Sequence, residues 1–150
     1  MFFYKKNVIN FQFCCNKKYF FFDKKKIKEK IKKILCLFTN YYEITIRMVE
    51  KKEIKYLNKK YRKMNYATNI LSFHYNKSLN KSSKYIFGDL ILCPYVIYKE
   101  SLNNKIYIFE YYMHIIVHGL LHLFGYDHYS QKDANLMEFT EKKIIKMIGF

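Results

Sequence analysis

Proline occurs once in the 150 residues, at Pro94, and only two of the 28 basic residues, Arg47 and Arg62, are arginine. The shortage of arginine beside so much Lys, Ile, Asn, Tyr and Phe is the mark of a nucleotide-composition bias, in which Lys replaces Arg wherever either serves. An arginine that survives such a bias is informative, because a planar bidentate fork has no ammonium substitute. Cys14, Cys15, Cys36 and Cys93 contain no C-x-x-C pair and two of them are adjacent, which excludes a disulfide framework and a zinc knuckle. A reducing cytoplasm is the expected setting. No run of about 18 apolar residues exists, so no membrane span is expected. The opening "MFFYKKNVINFQFCCNKK" carries lysines inside its apolar stretch and lacks a small-residue cleavage site, so it is not read as a signal peptide. No Gly-rich phosphate loop and no internal repeat are present.

Apolar residues make up 51% of the chain and aromatics 20%, enough for a packed core despite a formal net charge of +16. The length suits a single domain over residues 1–150. The excess of positive charge fits a polyanionic partner, RNA, DNA or an anionic surface, although the lysine bias dilutes that signal.

Strand-like "VINFQFCC" comes first, and Asp23 then offers an N-cap to "KKKIKEKIKKILCLF", whose Ile27, Ile31, Ile34, Leu35 and Phe38 share one helical face. "YYEITIRMVE" alternates as a strand, "KKEIKYLNKKYR" returns to helical spacing, and "TNILSFHY" (residues 68–75) is a second strand of this kind. Residues 76–85 are polar and without period, a surface loop and the segment most prone to disorder. "GDLILC" reads as a strand stopped by Pro94, which suits the first turn of a helix over "YVIYKES". Helices over about 107–124 and 131–148 complete the chain. This order predicts an α+β fold: one domain with a mixed β-sheet packed against helices.

Three of the five histidines fall in "HGLLHLFGYDH", residues 118–128. On a helix, residues four apart are separated by about 40° around the axis and about 6 Å along it, so His118 and His122 face one point. His114 lies about 12 Å along the axis from His122, too far for all three to hold one ion. Gly125 is placed to end the helix in the left-handed conformation, and the turn then brings His128 back toward the other two. The pattern predicts a three-imidazole chelate on a zincin-like helix, with zinc the expected ion and nickel, copper or iron chemically open. Three protein ligands leave a fourth position for water, as in catalytic zinc sites, where the ion lowers the pKa of that water toward neutrality. The bland alternative is a buried helix whose histidines are satisfied by backbone or carboxylates.

Metzincin proteases share this spacing but carry Glu directly after the first histidine as general base; here that position is Gly119. With the motif in view, the chain resembles the YbeY family of bacterial endoribonucleases, whose hallmark HGxLHLxGYDH is matched at every specified position. The resemblance extends to "LNKKYR" ending at Arg62, to "TNILSF" (residues 68–73) and to "GDLILC" (residues 88–93), and covers roughly residues 40–148. It implies that His118, His122 and His128 bind one zinc ion and that Arg62 and His118 are catalytic. A guanidinium beside the metal would clamp a phosphodiester and stabilise its pentacoordinate transition state. Water and the ribose 2′-hydroxyl are both open as nucleophile.

Departures lie around that arginine: Asn65, Ala67 and His74 stand where the family usually has Asp, Pro and Pro, which removes two prolines that would stiffen the segment. His74 is expected at the surface or groove, and His114 behind the site or in the core. Asp127 is a candidate for orienting an imidazole, Asp89 for supporting a turn or strand edge, and Thr68, Asn69 and Ser72 for flanking the cleft. The function the resemblance implies is a cytoplasmic zinc-dependent endoribonuclease specific for single strands. It would mature the 3′ end of small-subunit ribosomal RNA and act in ribosome quality control, with precursor rRNA and the small ribosomal subunit as partners. A zinc metallopeptidase and a ribosome-binding factor with a structural metal are the alternatives.

Overall fold

The computed structural model describes residues 7–20, 22–75 and 85–150; most of the polar loop expected at 76–85 lies outside them. Strand β1 (Val8–Cys14) leads through a single 3-10 turn into helix α1 (Lys24–Phe38), strand β2 (Tyr41–Val49) and helix α2 (Lys51–Arg62). Strands β3 (Ile70–His74) and β4 (Tyr85–Leu92) follow, then helices α3 (Pro94–Asn104), α4 (Ile108–Leu123) and α5 (Gln131–Met147). The fold is α+β, as the order of elements predicts. The four strands form one mixed sheet in the order β1-β2-β4-β3, with β3 antiparallel to β4 and the other pairs parallel.

Alternation along the strands divides the core in two. Ile44, Ile46 and Met48 of β2 and Leu90 and Leu92 of β4 face α1, α4 and α5 in the larger cluster. Val49, Leu71, Ile91 and Cys93 face the other way, against Ile54 of α2. The α1 stripe behaves as its spacing predicts: Ile27, Ile31, Ile34 and Leu35 are buried, and the Asp23 side chain accepts from Lys25 N–H. Asp89 sits within β4, an inner strand rather than an edge, and accepts a hydrogen bond from the Tyr75 hydroxyl. Arg47 spans three elements, donating through Nε to Cys14 Sγ at 3.4 Å and pairing with Glu53 of α2 at 2.6 Å. This ties α2 to the sheet.

The sheet and α4 approach closely at two glycines. A Cβ on Gly119 would lie 2.5 Å from Ile70 Cδ1 and 3.1 Å from Ser72 Oγ, and one on Gly88 would lie 2.6 Å from the Phe73 carbonyl oxygen. Ser72 Oγ donates to the Gly119 carbonyl at 3.2 Å, and His74 Nε2–H donates to the Leu123 carbonyl at 2.7 Å. Strand β3 is thus fastened along the last two turns of α4, which hold His118 and His122.

Candidate metal centre

Helix α4 ends where Gly125 predicts. Gly125 has φ 94, its N–H donates to the His122 carbonyl, and Tyr126 N–H donates to the Leu121 carbonyl at 3.0 Å. These are the paired bonds of a Schellman motif. The reversal returns the chain toward the helix, and two local bonds set the loop beyond it: Tyr129 N–H donates to Asp127 Oδ1, and Ser130 Oγ caps α5 by accepting from Asp133 N–H. His128 is thereby placed against the rings of α4, with centroids 6.0 Å from His118 and 5.2 Å from His122.

One ring nitrogen from each of His118, His122 and His128 lies within 4.8 Å of the other two. The tautomers follow from what stands behind the rings. His118 Nδ1 is 3.2 Å from Glu141 Oε2 and His122 Nδ1 is 3.0 Å from the Tyr126 carbonyl. Each partner can only accept, so in the neutral imidazole Nδ1 carries the proton and Nε2 keeps its lone pair. The two Nε2 atoms then face one another at 3.2 Å with no proton to share. A tetrahedral ion with Zn–N bonds of about 2.0–2.1 Å separates its ligand nitrogens by about 3.3 Å. The donor set and spacing therefore fit a divalent cation. Burial first, then His118, push the His122 pKa below its ordinary value against the pull of the Tyr126 carbonyl, with His128 and Arg62 adding to the fall. The lowering favours the neutral imidazole, the form that can bind a metal.

Arg62 reaches the same cavity of about 380 Å³ from the last turn of α2. Left-handed Lys63, φ 61, ends that helix, and the buried side chain of Asn58 donates to the Tyr66 carbonyl at 2.9 Å. Cys93 N–H donates to the Asn69 carbonyl. The segment that lacks the family's prolines is therefore tied at both ends by hydrogen bonds. Thr68 and Asn69 also line the cavity but precede β3 rather than lying on it, and Asn69 Nδ2 is engaged by Glu100 at 2.9 Å. His114 stays off the chelate, 3.7 Å from Glu110 and 4.0 Å from Glu141.

Glu141 escapes the motif-based reading. The carboxylate behind an imidazole comes from α5, whereas Asp127 is engaged by the Tyr129 backbone. A signal for it exists in the sequence: Glu141 stands four residues from both Met137 and Ile145, on the buried stripe of an amphipathic helix. Because it meets Nδ1, it lies on the far side of the ring from Nε2 and holds the ring rather than acting on whatever Nε2 binds. Gly119 is pressed against β3 and β4, so the carboxylate that a metzincin carries there has no room.

Comparison with known proteins places this geometry in a family setting. Residues 12–149 match the family model described as Endoribonuclease YbeY. The chain is 44% identical over 146 residues to Endoribonuclease YbeY of Buchnera aphidicola subsp. Acyrthosiphon pisum, covering 97% of this chain and 94% of that protein. It is 42% identical over 126 residues to the Wigglesworthia glossinidia brevipalpis protein of the same name, covering 83% and 82%. Its fold is similar to the solution structure of TM1509 from Thermotoga maritima, with a TM-score of 0.65, 23% identity, and coverage of 94% and 89%.

Proposed function

From the premise that the chain belongs to the endoribonuclease YbeY family, we propose that it is a zinc-dependent endoribonuclease cutting single-stranded RNA. Its substrate is the precursor of small-subunit ribosomal RNA, trimmed toward its 3′ end in the cytoplasm, with a further part in ribosome quality control. The observation that carries the enzymatic reading is the convergence of two opposed Nε2 lone pairs, a third imidazole and Arg62 on one cavity.

His118, His122 and His128 would hold the ion. A bound zinc supplies Lewis acidity to a phosphoryl oxygen and lowers the pKa of water. The protein's own groups do the positioning. Glu141 and the Tyr126 carbonyl fix the planes of two ligand rings through Nδ1. Arg62 offers a guanidinium fork to the non-bridging phosphate oxygens and meets the charge that grows on them in the transition state. Ile70, Ile106 and Ile115 make part of the cavity wall apolar, which strengthens that attraction relative to open water. The exposed lysines of α1 add salt-dependent attraction for the RNA backbone.

The test is elemental analysis alongside cleavage of a single-stranded RNA. His118→Ala and His128→Ala should lose zinc and cleavage while circular dichroism shows the fold retained. Arg62→Ala should keep zinc and lose roughly 100- to 1000-fold in cleavage rate. Cleavage that persists in metal-free protein, or peptide hydrolysis in its place, would defeat the proposal.

A further inference from the structure

Helix α2 presents to solvent a face that lies outside the metal centre and touches the core only where Tyr61 meets Phe73. Its inward side is accounted for by buried Ile54 and Asn58. On the outside Tyr56 and Tyr61 are 61% and 56% exposed, and Lys60 Nζ lies 5.9 Å from one ring centroid and 5.3 Å from the other. Tyr56, Lys59, Lys60, Lys63 and Asn65 line a groove of about 500 Å³, within the size range of ligand pockets. The single acid of α2, Glu53, is engaged by Arg47, so the groove carries unbalanced positive charge. Lys59 and Lys63 also flank Arg62 in sequence, at the end of the helix that opens onto the metal cavity.

We infer that this face of α2 is a base-stacking subsite for single-stranded RNA, leading to the scissile position at Arg62. Lysines alone would say little in so lysine-rich a chain. Tyr56 offers a solvent-facing phenol ring in a groove beside the phosphate-binding arginine, and Tyr61, packed edge-on against Phe73 at 5.1 Å, adds a second exposed ring next to it within reach of the same ammonium. Together they supply both things an unpaired strand needs, flat apolar surface for bases and cations for the phosphates between them. A duplex hides its base faces in the stack and has no use for the rings. The inference rests on the RNA reading above and extends it to residues outside the centre.

The test is binding of the full chain, by fluorescence anisotropy, to a labelled 2′-O-methyl phosphorothioate single strand of about a dozen nucleotides, which spans one such site and resists cleavage. Thermal melts accompany each variant to show that it is folded. Tyr56→Ala should weaken binding by about 5- to 100-fold, as loss of a stacking ring does. Tyr56→Phe, which keeps the ring, should bind within about twofold of the unaltered protein by the same reasoning. Lys60→Gln should reduce the salt dependence of log Kd by about 0.7, the share of one phosphate on a single strand. Duplex RNA of equal length should show no dependence on the Tyr56 ring. Unchanged single-strand affinity in Tyr56→Ala, equal losses in the Ala and Phe variants, or an equal loss on the duplex would overturn the subsite. So would displacement of the strand by phosphatidylserine vesicles whose own binding depends more strongly on Tyr56. If the strand binds through Tyr56 but the zinc-loaded protein cuts no RNA, the nuclease reading fails and the subsite stands.

Discussion

Replacing Glu141 by alanine removes the group behind His118 and leaves all three candidate ligands in place. The expected consequence is a looser ion, because the ring loses the partner that sets its plane and tautomer and raises its basicity. Loss of such a partner ordinarily costs about 10- to 100-fold in metal affinity. The present contact favours the lower end. Its 3.2 Å separation exceeds the roughly 2.7–2.9 Å of the strongest charge-assisted bonds, and the Glu141 side chain is 24% exposed, so water screens part of the interaction. A weakening of about tenfold, equivalent to roughly 1.4 kcal/mol, is predicted for Glu141→Ala. Glu141→Gln keeps an acceptor without the charge and should fall between the two. Competition for zinc against a chromophoric chelator near neutral pH measures both, and His114→Ala serves as a control because its contacts to Glu110 and Glu141 are long and half-exposed. Unaltered affinity in a folded Glu141→Ala protein would refute the role assigned to the carboxylate. A loss as complete as that of His118→Ala would refute it too, by making Glu141 a ligand.

Gly119→Glu must place a side chain where a Cβ already lies 2.5 Å from Ile70 Cδ1, and should cost about 3 kcal/mol or more, a Tm fall of roughly 6–12 °C by calorimetry. An unshifted Tm would mean that α4 stands off the sheet. Gly125→Ala meets no neighbouring atom, so its cost is the left-handed conformation alone, about 1–2 kcal/mol or roughly 2–8 °C in Tm, accompanied by weaker zinc binding as His128 is displaced. Retained stability and zinc affinity would count against the Schellman exit. The Tyr112 hydroxyl is buried in the core and donates to the Tyr19 carbonyl at 3.1 Å, and burial pushes its pKa well above the ordinary phenol value. A raised folded pKa contributes stability that is fully present below the ordinary value near 10 and lost as pH rises beyond it. Urea unfolding from pH 8 upward should therefore show a decline above about pH 10 that Tyr112→Phe reduces; identical profiles would remove the assignment.

Local pattern made most of the architecture legible. The α1 stripe, its Asp23 cap, the α2 spacing and Pro94 at the first turn of α3 depend on neighbours within a few residues, and each stands where periodicity and capping place it. Strand β3 spans Ile70–His74, shorter than the 68–75 segment predicts; the Cys93 N–H bond to the Asn69 carbonyl carries its pairing with β4 one position further, and the Asn69 amide is engaged by Glu100. The Asn69–Glu100 contact joins residues 31 apart, which propensity does not contain. His74 shows a limit of local pattern: a polar residue at the end of a strand reads as surface or groove, and what its half-buried ring meets, the Leu123 carbonyl at the end of α4, is set by packing.

The sequence by itself determined the three-histidine cluster that could hold a metal, since a four-residue helical interval and a glycine placed to reverse the chain are properties of a short segment. It also determined that Arg62 ends a helix. Only the tertiary structure decided that α2 and α4 converge on one cavity, because the sheet order β1-β2-β4-β3 places sequence-distant elements side by side. It likewise decided the meaning of Gly119, which in the sequence is a missing glutamate and in the fold is the contact that lets α4 touch Ile70 and Ser72. Glu141 belongs to the same class: its helix carries the pattern, but which ring it meets depends on how α5 packs against α4. Backbone hydrogen bonds and caps act over a few residues and leave their trace in the sequence. Which faces meet is settled by burial of apolar surface across the whole chain, and that information is not local.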